Sequence, residues 1–406
     1  MMKKIAKGAA FGLLAIIVTG TGYIAAITPG GLSGFWLMAS TVAGLNTSAN
    51  AAEKSSLQVP QGFSLELVAQ HLGYVRFVAP TEQDDLVATI ADRGQVMLLQ
   101  DKDQNGTAET QTVLIDGLNE PQGIAFDGDW LYFSESGTVS RVLFDHSTGR
   151  LAGEIEPILQ DLPYDLIHKA KAIGISPDRK LYVAVGSPCN VCEPEDPRYA
   201  AMLRSELDGG DPQIFARGLR NSVGFDWAPW SNDLYATVNA RDLLGDNFPP
   251  DELNLVVEGG FYGWPYVNGD NIPDPDFGLK RPDLADAAIV PAFNFRPHNA
   301  PLDIHFVKGH TSLPDSFKRT ALVALHGSWN RSTLDGYKVI SLHWDDKGNI
   351  QSRDFVSGFL AHDGIMGRPA GITQDSQGRF YITDDLGGQI YRVEYSEDNE
   401  NLKPNS

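Results

Sequence analysis

The stretch 371-GITQDSQGRFYITDDLGGQIYRVEY-395 reads as three short strands joined by two polar turns. Apolar and aromatic residues alternate with polar ones in FYIT and IYRVEY, while Asp375 to Gly378 and Asp385 to Gly388 carry turn-forming residues. Working outward, the same form recurs in 123-GIAFDGDWLYFSESGTVSRVLF-144, 172-AIGISPDRKLYVAVGS-187 and 222-SVGFDWAPWSNDLYATVNA-240. Two looser copies are 77-FVAPTEQDDLVATIADRGQVMLL-99 and 320-TALVALHGSWNRSTLDGYKVISLHW-344. The units begin near residues 77, 121, 171, 220, 302 and 369. Repeats at this spacing predict an all-β chain, a six-bladed β-propeller. A spare strand, 62-GFSLELVAQ-70, has no hairpin of its own. It is predicted to join the last blade and close the ring, which removes the exposed edges.

The predicted propeller spans residues 57–396, followed by a polar tail at 397–406. The chain has 406 residues, of which 42% are hydrophobic, enough for a large core. A formal charge of -20 excludes nucleic acid as the expected partner, since a phosphate-binding face needs clustered Lys and Arg.

Residues 1–52 differ from the rest. Lys3, Lys4 and Lys7 precede an apolar run near the length that spans a bilayer, and Ala49-Asn50-Ala51 has the small-residue pattern of a signal-peptidase site. The expectation is a long signal peptide or an uncleaved membrane anchor. Both place the folded domain in a periplasmic, extracytoplasmic compartment. Cys189 and Cys192, in PCNVCEP, are expected to form a small disulfide there, because a zinc site would need two further ligands nearby.

A propeller gathers the loops of all its blades around one end of a central channel, so polar residues between the recurring strands are the candidates for chemistry. Arg220-Asn221 offers donors suited to carboxylates, and Asp246, Asp251 and Glu252 are hard oxygen ligands suited to calcium. The bland reading of both groups is a surface ion pair and a solvated loop. His168, just before the third unit, is either a satisfied strand-edge histidine or a neutral imidazole able to take a hydroxyl proton. Asn330, Arg331 and Arg368 add cationic and amide groups at later junctions, and His298 is a further funnel candidate. Three arginines around one funnel point to a ligand with several carboxylates. Asp101 to Gly106 reads like the start of a calcium loop, but Thr112 stands where the bidentate acid is required, so a polar hairpin turn is expected.

The motifs from His168 through PCNVCEPEDPRYA, then ARGLRNSVGFDW, PPDELN, GFYGWPY, HGSWNRS, GYKV, GRPAGI and YITDDLGGQIYRV, resemble the glucose/sorbosone dehydrogenase family. They stand in the family's order from about Leu57 to Tyr395, and the sequence is most similar to its L-sorbosone and aldose sugar dehydrogenase branch. The resemblance implies a six-bladed propeller that uses pyrroloquinoline quinone (PQQ) and calcium. It implies His168 as catalytic base, and Arg220, Asn221, Asn330, Arg331 and Arg368 as cofactor contacts. Ala240 and Arg241 correspond to residues whose carbonyls hold the cofactor's calcium, and Glu252 and Tyr262 to ligands of a second, structural calcium. The chain departs from the glucose-type branch at Ile167, where that branch has an acid, at Val223 in place of glutamine, and at Asn330 in place of lysine.

The implied reaction is hydride transfer from an aldose or hydrated aldehyde to the quinone, with an external electron acceptor as partner. Two other readings compete. One is a calcium-dependent propeller lactonase, which has little use for three funnel arginines. The other is a non-catalytic exported binding propeller, which has no need for His168 and Arg220-Asn221 to converge.

Overall fold

The computed structural model describes residues 57–165, 167–309, 313–362 and 364–400. The predicted targeting segment and the last six residues of the predicted tail lie outside them. Among the described residues six antiparallel blade sheets form the ring, five of four strands and the second with a short fifth strand, Arg150–Leu151, and two small two-stranded sheets stand apart from them. Their innermost strands are Val75–Pro80, Ile124–Asp127, Ile173–Ile175, Ser222–Trp227, Pro301–Phe306 and Pro369–Gln374, each beside the next around a ring. These are blades 1 to 6, and they fall where the six sequence units begin.

Phe63–Ala69 pairs antiparallel with Gln389–Tyr395, from Phe63 opposite Tyr395 to Ala69 opposite Ile390, and so becomes the outer strand of blade 6. Phe63 locks this closure from its side chain as well as its backbone. Its ring lies 5.1 Å from that of Phe355 and 5.2 Å from that of Phe317, both on blade 5. Such aromatic pairs add about 1 kcal/mol each beyond the area they bury.

The turns follow from their residues. In blade 6 the Asp375 carboxylate accepts the amides of Gln377 and Arg379, and Gly378 takes the left-handed conformation at φ 89°. Asp345 holds the turn between the third and fourth strands of blade 5 in the same way, through the amides of Lys347 and Asn349. In blade 3 the Ser176 hydroxyl accepts the Lys180 amide at 2.9 Å, so in these turns a short Asp or Ser side chain supplies the acceptor.

A second device ties blade to blade. In blades 1, 2 and 6 a hydroxyl on the second strand accepts an amide of its own inner strand: Thr89 from Phe77, Ser134 from Gly123, Thr383 from Gly371. The same hydroxyls donate to a carbonyl of the adjoining blade, namely Gln122 at 2.7 Å, Lys171 at 2.6 Å and Arg76 at 2.8 Å. Thr237 of blade 4 donates to the carbonyls of Gly224 and Leu302. The inner strands of blades 1, 4, 5 and 6 are interrupted by bulges, which leave ladder groups unpaired, and in blades 1, 4 and 6 the hydroxyls reach backbone groups of those bulged strands.

The turn at Asp101 to Gly106 joins the third and fourth strands of blade 1 as a polar hairpin. Asp101 caps the amides of Asn105 and Gly106 at 3.0 and 2.8 Å. Asp101, Asp103 and Glu109 each bring one carboxylate oxygen within 4.8 Å of the others on this solvent-facing turn.

Candidate active site

At one end of the ring, loops from blades 2 to 6 enclose a cavity of about 540 Å³. His168 reaches it from the segment between blades 2 and 3, and Arg220 and Asn221 from the segment between blades 3 and 4. Ala240 and Asp242 enter from blade 4, Asn330 from blade 5, and Arg368 from the segment before blade 6. Residues nearly 200 positions apart therefore share one space, as the ring arrangement dictates.

His168 Nδ1 lies 2.8 Å from the carbonyl oxygen of Ser187 and 3.0 Å from its hydroxyl. A carbonyl only accepts, so Nδ1 carries the proton and Nε2 keeps its lone pair. Burial, and then the nearby Arg220 guanidinium, lower the imidazole pKa to about 4. The ring is therefore neutral at pH 7, with the Nε2 lone pair in place to accept a proton. Gly186 makes room for it: a Cβ there would stand 2.6 Å from His168 Cβ and 2.8 Å from Asn221 Oδ1.

The three arginines behave differently. Arg220 is 3% exposed and all five of its N–H groups have acceptors. Nε donates to the Asn190 carbonyl at 2.9 Å, Nη1 to the carbonyls of Asn239 and Ala240 at 3.0 and 2.6 Å, and Nη2 to Asn190 Oδ1 and Asp242 at 3.0 and 3.2 Å. It sets the shape and charge of the wall. Arg331 does not line the cavity; its donors hold the carbonyls of Asp246, Pro297 and Thr333 and fix the blade 4 loop. Arg368 is the cavity's available guanidinium. Its Nε donates to Asp385 at 3.0 Å, and among the described residues its terminal nitrogens have no hydrogen-bond partner.

Asp385 anchors that corner. It also accepts from Arg76 at 2.6 Å and from His326 Nε2 at 2.8 Å. Burial alone would raise its pKa, but His326, Arg368 and Arg76 hold it well below the usual carboxylate range.

The opposite wall is rich in acceptors. Asp242 takes the amide of Asn330 at 2.7 Å and the Arg220 contact, and burial raises its pKa. Asp251, pushed up to about 6 by burial, takes the backbone amides of Ala240 and Ala300. Asn239 Oδ1 and Asn330 Oδ1 are buried with no donor among the described residues. His298 Nδ1 accepts from Asn330 at 3.2 Å and its Nε2 donates to Gly245 at 2.9 Å, so this imidazole is committed to the wall. Oxygen atoms that lack donors suit a hard cation, and the Arg368 terminal nitrogens and the Asn221 amide, which have no hydrogen-bond partner among the described residues, suit carboxylates. The donor set therefore fits both an anionic ligand and calcium. At the mouth Ile167, Leu243 and Trp329 are exposed and apolar.

Arg241, Glu252 and Tyr262 lie outside the cavity. Arg241 turns its guanidinium away, onto Asp274 at 2.6 Å and Asp276 at 3.1 Å. Glu252 is buried, takes Gly269 N at 2.9 Å and Asn254 Nδ2 at 3.0 Å, and is raised by burial to about 7. Asn254 Oδ1 beside it is another buried acceptor with no donor among the described residues, so this second group also fits a hard cation. Tyr262 donates its hydroxyl to Leu255 O at 2.6 Å. Cys189 and Cys192 form a disulfide. Among the cavity residues not singled out from sequence are Asn190, Asp242, His326, Trp329 and Tyr337, all of which stand inside or beside the motifs quoted above.

Comparison with known proteins bears on what this cavity is. The chain is similar to an uncharacterised protein of Borreliella burgdorferi, 31% identical over 90% of this chain and 98% of that one. It is 24% identical to a pyrroloquinoline quinone-dependent sugar dehydrogenase of Hypocrea jecorina, over 73% of this chain and 78% of that one. Its fold is similar to the calcium structure of the Trichoderma reesei carbohydrate-active enzyme of family AA12, with a TM-score of 0.73 and 19% identity, covering 86% of this chain and 99% of the other. Residues 57–254 and 283–396 match the TrAA12-like family. The chain belongs to the TrAA12-like family, in keeping with the resemblance of its motifs to the PQQ-dependent sugar dehydrogenases.

Proposed function

We propose that this protein oxidises an aldose sugar or a related aldehyde, with PQQ and calcium as cofactors, and passes the electrons to an external acceptor. One observation carries the reading. His168 Nε2, the terminal nitrogens of Arg368 and the side-chain amide of Asn221, none of which has a hydrogen-bond partner among the described residues, meet in one cavity. When bound there, PQQ supplies a hydride-accepting carbonyl carbon and calcium supplies Lewis-acid polarisation.

The chain's own residues do the rest. Arg368 and Asn221 bind carboxylates of the cofactor, and Trp329 offers an apolar face at the mouth to the substrate's C–H surface. The Asp242 carboxylate, the amide oxygens of Asn239 and Asn330 and the carbonyl of Ala240 provide the oxygen set for the cation. His168 Nε2 takes the hydroxyl proton of the carbon being oxidised. Its low pKa keeps it unprotonated, and its Nδ1–H bond to Ser187 fixes the tautomer. Glu252 and Asn254 would hold a second, structural calcium. We also place the domain outside the cytoplasm, on the strength of the basic and apolar N-terminal segment and the Cys189–Cys192 disulfide.

The test is dye reduction by the purified protein across a panel of aldoses and aldehydes, with and without PQQ and calcium. Turnover that needs both additions supports the assignment. No turnover, together with no rise in melting temperature when both are added, overturns it.

A further inference from the structure

The loop closed by the Cys189–Cys192 disulfide holds the buried arginine directly and is tied to the imidazole through Ser187. Ser187, just before it, accepts His168 Nδ1–H on its carbonyl, and its hydroxyl donates to the Cys189 carbonyl at 2.8 Å. The Ser187 amide in turn donates to the Arg220 carbonyl at 2.7 Å.

Asn190, inside the disulfide ring, has every side-chain polar atom committed. Its Oδ1 accepts from Arg220 Nη2 at 3.0 Å and from the Asp242 amide at 2.8 Å, and its Nδ2 donates to the Asp242 carbonyl at 3.1 Å. Its carbonyl accepts Arg220 Nε at 2.9 Å and Trp264 Nε1 at 3.3 Å. Two of the five Arg220 acceptors therefore come from one residue, whose backbone is pinned by a cross-link closing a ring of a few residues.

We propose that Asn190, held by the Cys189–Cys192 ring, is a positioning residue that fixes the Arg220 guanidinium against His168 and so sets the state of the imidazole. The proposal rests on the reading of His168 as the base. The charged groups that act on His168 are Arg220 and Lys171, which disfavour its protonation, and Asp165, which favours it. Freeing Arg220 removes the stronger of the two cationic influences and lets water reach the ring, and both effects raise the imidazole pKa. Placing a carboxylate beside Arg220 raises it too.

The experiment is an NMR titration of the histidine Cε1–H signals in the full chain without cofactor, with His168→Gln identifying the resonance. The variants are N190A, N190D and the double substitution Cys189→Ser with Cys192→Ser, and Val191→Ala is the control inside the same ring. Melting curves show which variants are folded. The expected result is a midpoint about one unit higher in the N190A, N190D and double-serine proteins, with no change in V191A. Where N190A does not fold, N190D, which keeps Oδ1, and the double-serine protein decide the matter. Unshifted midpoints in folded variants overturn the proposal, as does an equal shift in V191A.

Dye reduction on the same samples separates the two readings. Inactive wild type with shifted variants refutes the dehydrogenase assignment alone. Active wild type with unshifted variants refutes the positioning role alone.

Discussion

Asp385→Asn tests how the cavity's one available guanidinium is held. The carboxylate is wholly buried and takes three charged or polar donors, from Arg76 at 2.6 Å, His326 at 2.8 Å and Arg368 at 3.0 Å. An amide has the same shape, but it turns an NH2 group toward donors and removes the charge that compensates two buried cations. Breaking a buried ion pair from one side costs about 3–5 kcal/mol. In a domain of this size that lowers the melting temperature by roughly 4–7 °C. The deficit has a definite pH dependence. The folded pKa of Asp385 is lowered, so its contribution is present above the unfolded value near pH 4 and fades as pH falls below it. Wild type and variant should therefore converge in strong acid. The second consequence is functional. With Nε released, Arg368 loses its orientation, and half-saturation by PQQ in the presence of calcium should rise about tenfold, equal to about 1.4 kcal/mol. Reconstitution titrations on wild type, D385N, R368A and the double variant check this. If Asp385 acts through Arg368, the double variant binds no more weakly than R368A. A D385N protein with lowered stability but unchanged PQQ half-saturation would refute the reasoning, as would penalties that multiply in the double variant.

Three further outcomes follow from the geometry. His168→Gln should cut turnover by at least about 10²-fold while leaving PQQ binding within a factor of a few, and wild-type kcat should stay level from pH 7 down to about 5 before falling; both are read by dye-reduction kinetics. Thr383→Val removes a hydroxyl that accepts Gly371 N and donates to Arg76 O, and should cost about 1–3 kcal/mol in a denaturant melt with the m-value unchanged. The folded pKa of Glu252 is raised to about 7 from the ordinary 4.5, so without calcium its stability contribution is lost as pH rises from about 4.5 through 7. Calcium should restore the melting temperature at pH 8, a chelator should lower it again, and Glu252→Gln should remove both the loss and the calcium response.

Much of the fold was readable because a propeller repeats itself. The Leu-Tyr-Val strands and the Asp- or Ser-capped turns report a local arrangement that each blade forms in the same way. Even the odd strand, 62-GFSLELVAQ-70, could be placed by elimination, since one unpaired edge was left in the ring. The hydroxyls of Thr89, Ser134, Thr237 and Thr383 went unread, because a Thr in a strand has the same pattern whether it faces water or a neighbouring blade.

The cavity was partly readable. His168, Arg220, Asn221, Ala240, Asn330 and Arg368 could be proposed from position and motif, and they do share one space. Direction was the missing information. Arg331 follows Asn330, and Arg241 follows Ala240, yet in each pair the arginine faces away from the cavity. In an irregular loop no periodicity tells which side chain points inward. Nor does the sequence indicate that Arg220 would be saturated by carbonyls, since those acceptors belong to the backbone of Asn190, Asn239 and Ala240. Asn190 stood unremarked between two cysteines for the same reason.

The pairing of Phe63–Ala69 with Gln389–Tyr395 has a temporal side. The partners are separated by more than 300 residues, so Phe63–Ala69 leaves the ribosome early and must wait for Gln389–Tyr395. Until then blade 6 is one strand short and Phe63 has no pocket between Phe317 and Phe355. A nascent chain in that state presents an open edge on blade 6 and the unsealed flank of blade 5, both able to recruit the wrong strand. Truncation at either end should therefore act on the same blade, and a circular permutant that joins residue 395 to residue 62 and opens an exposed turn elsewhere would turn this late, long-range event into a local hairpin.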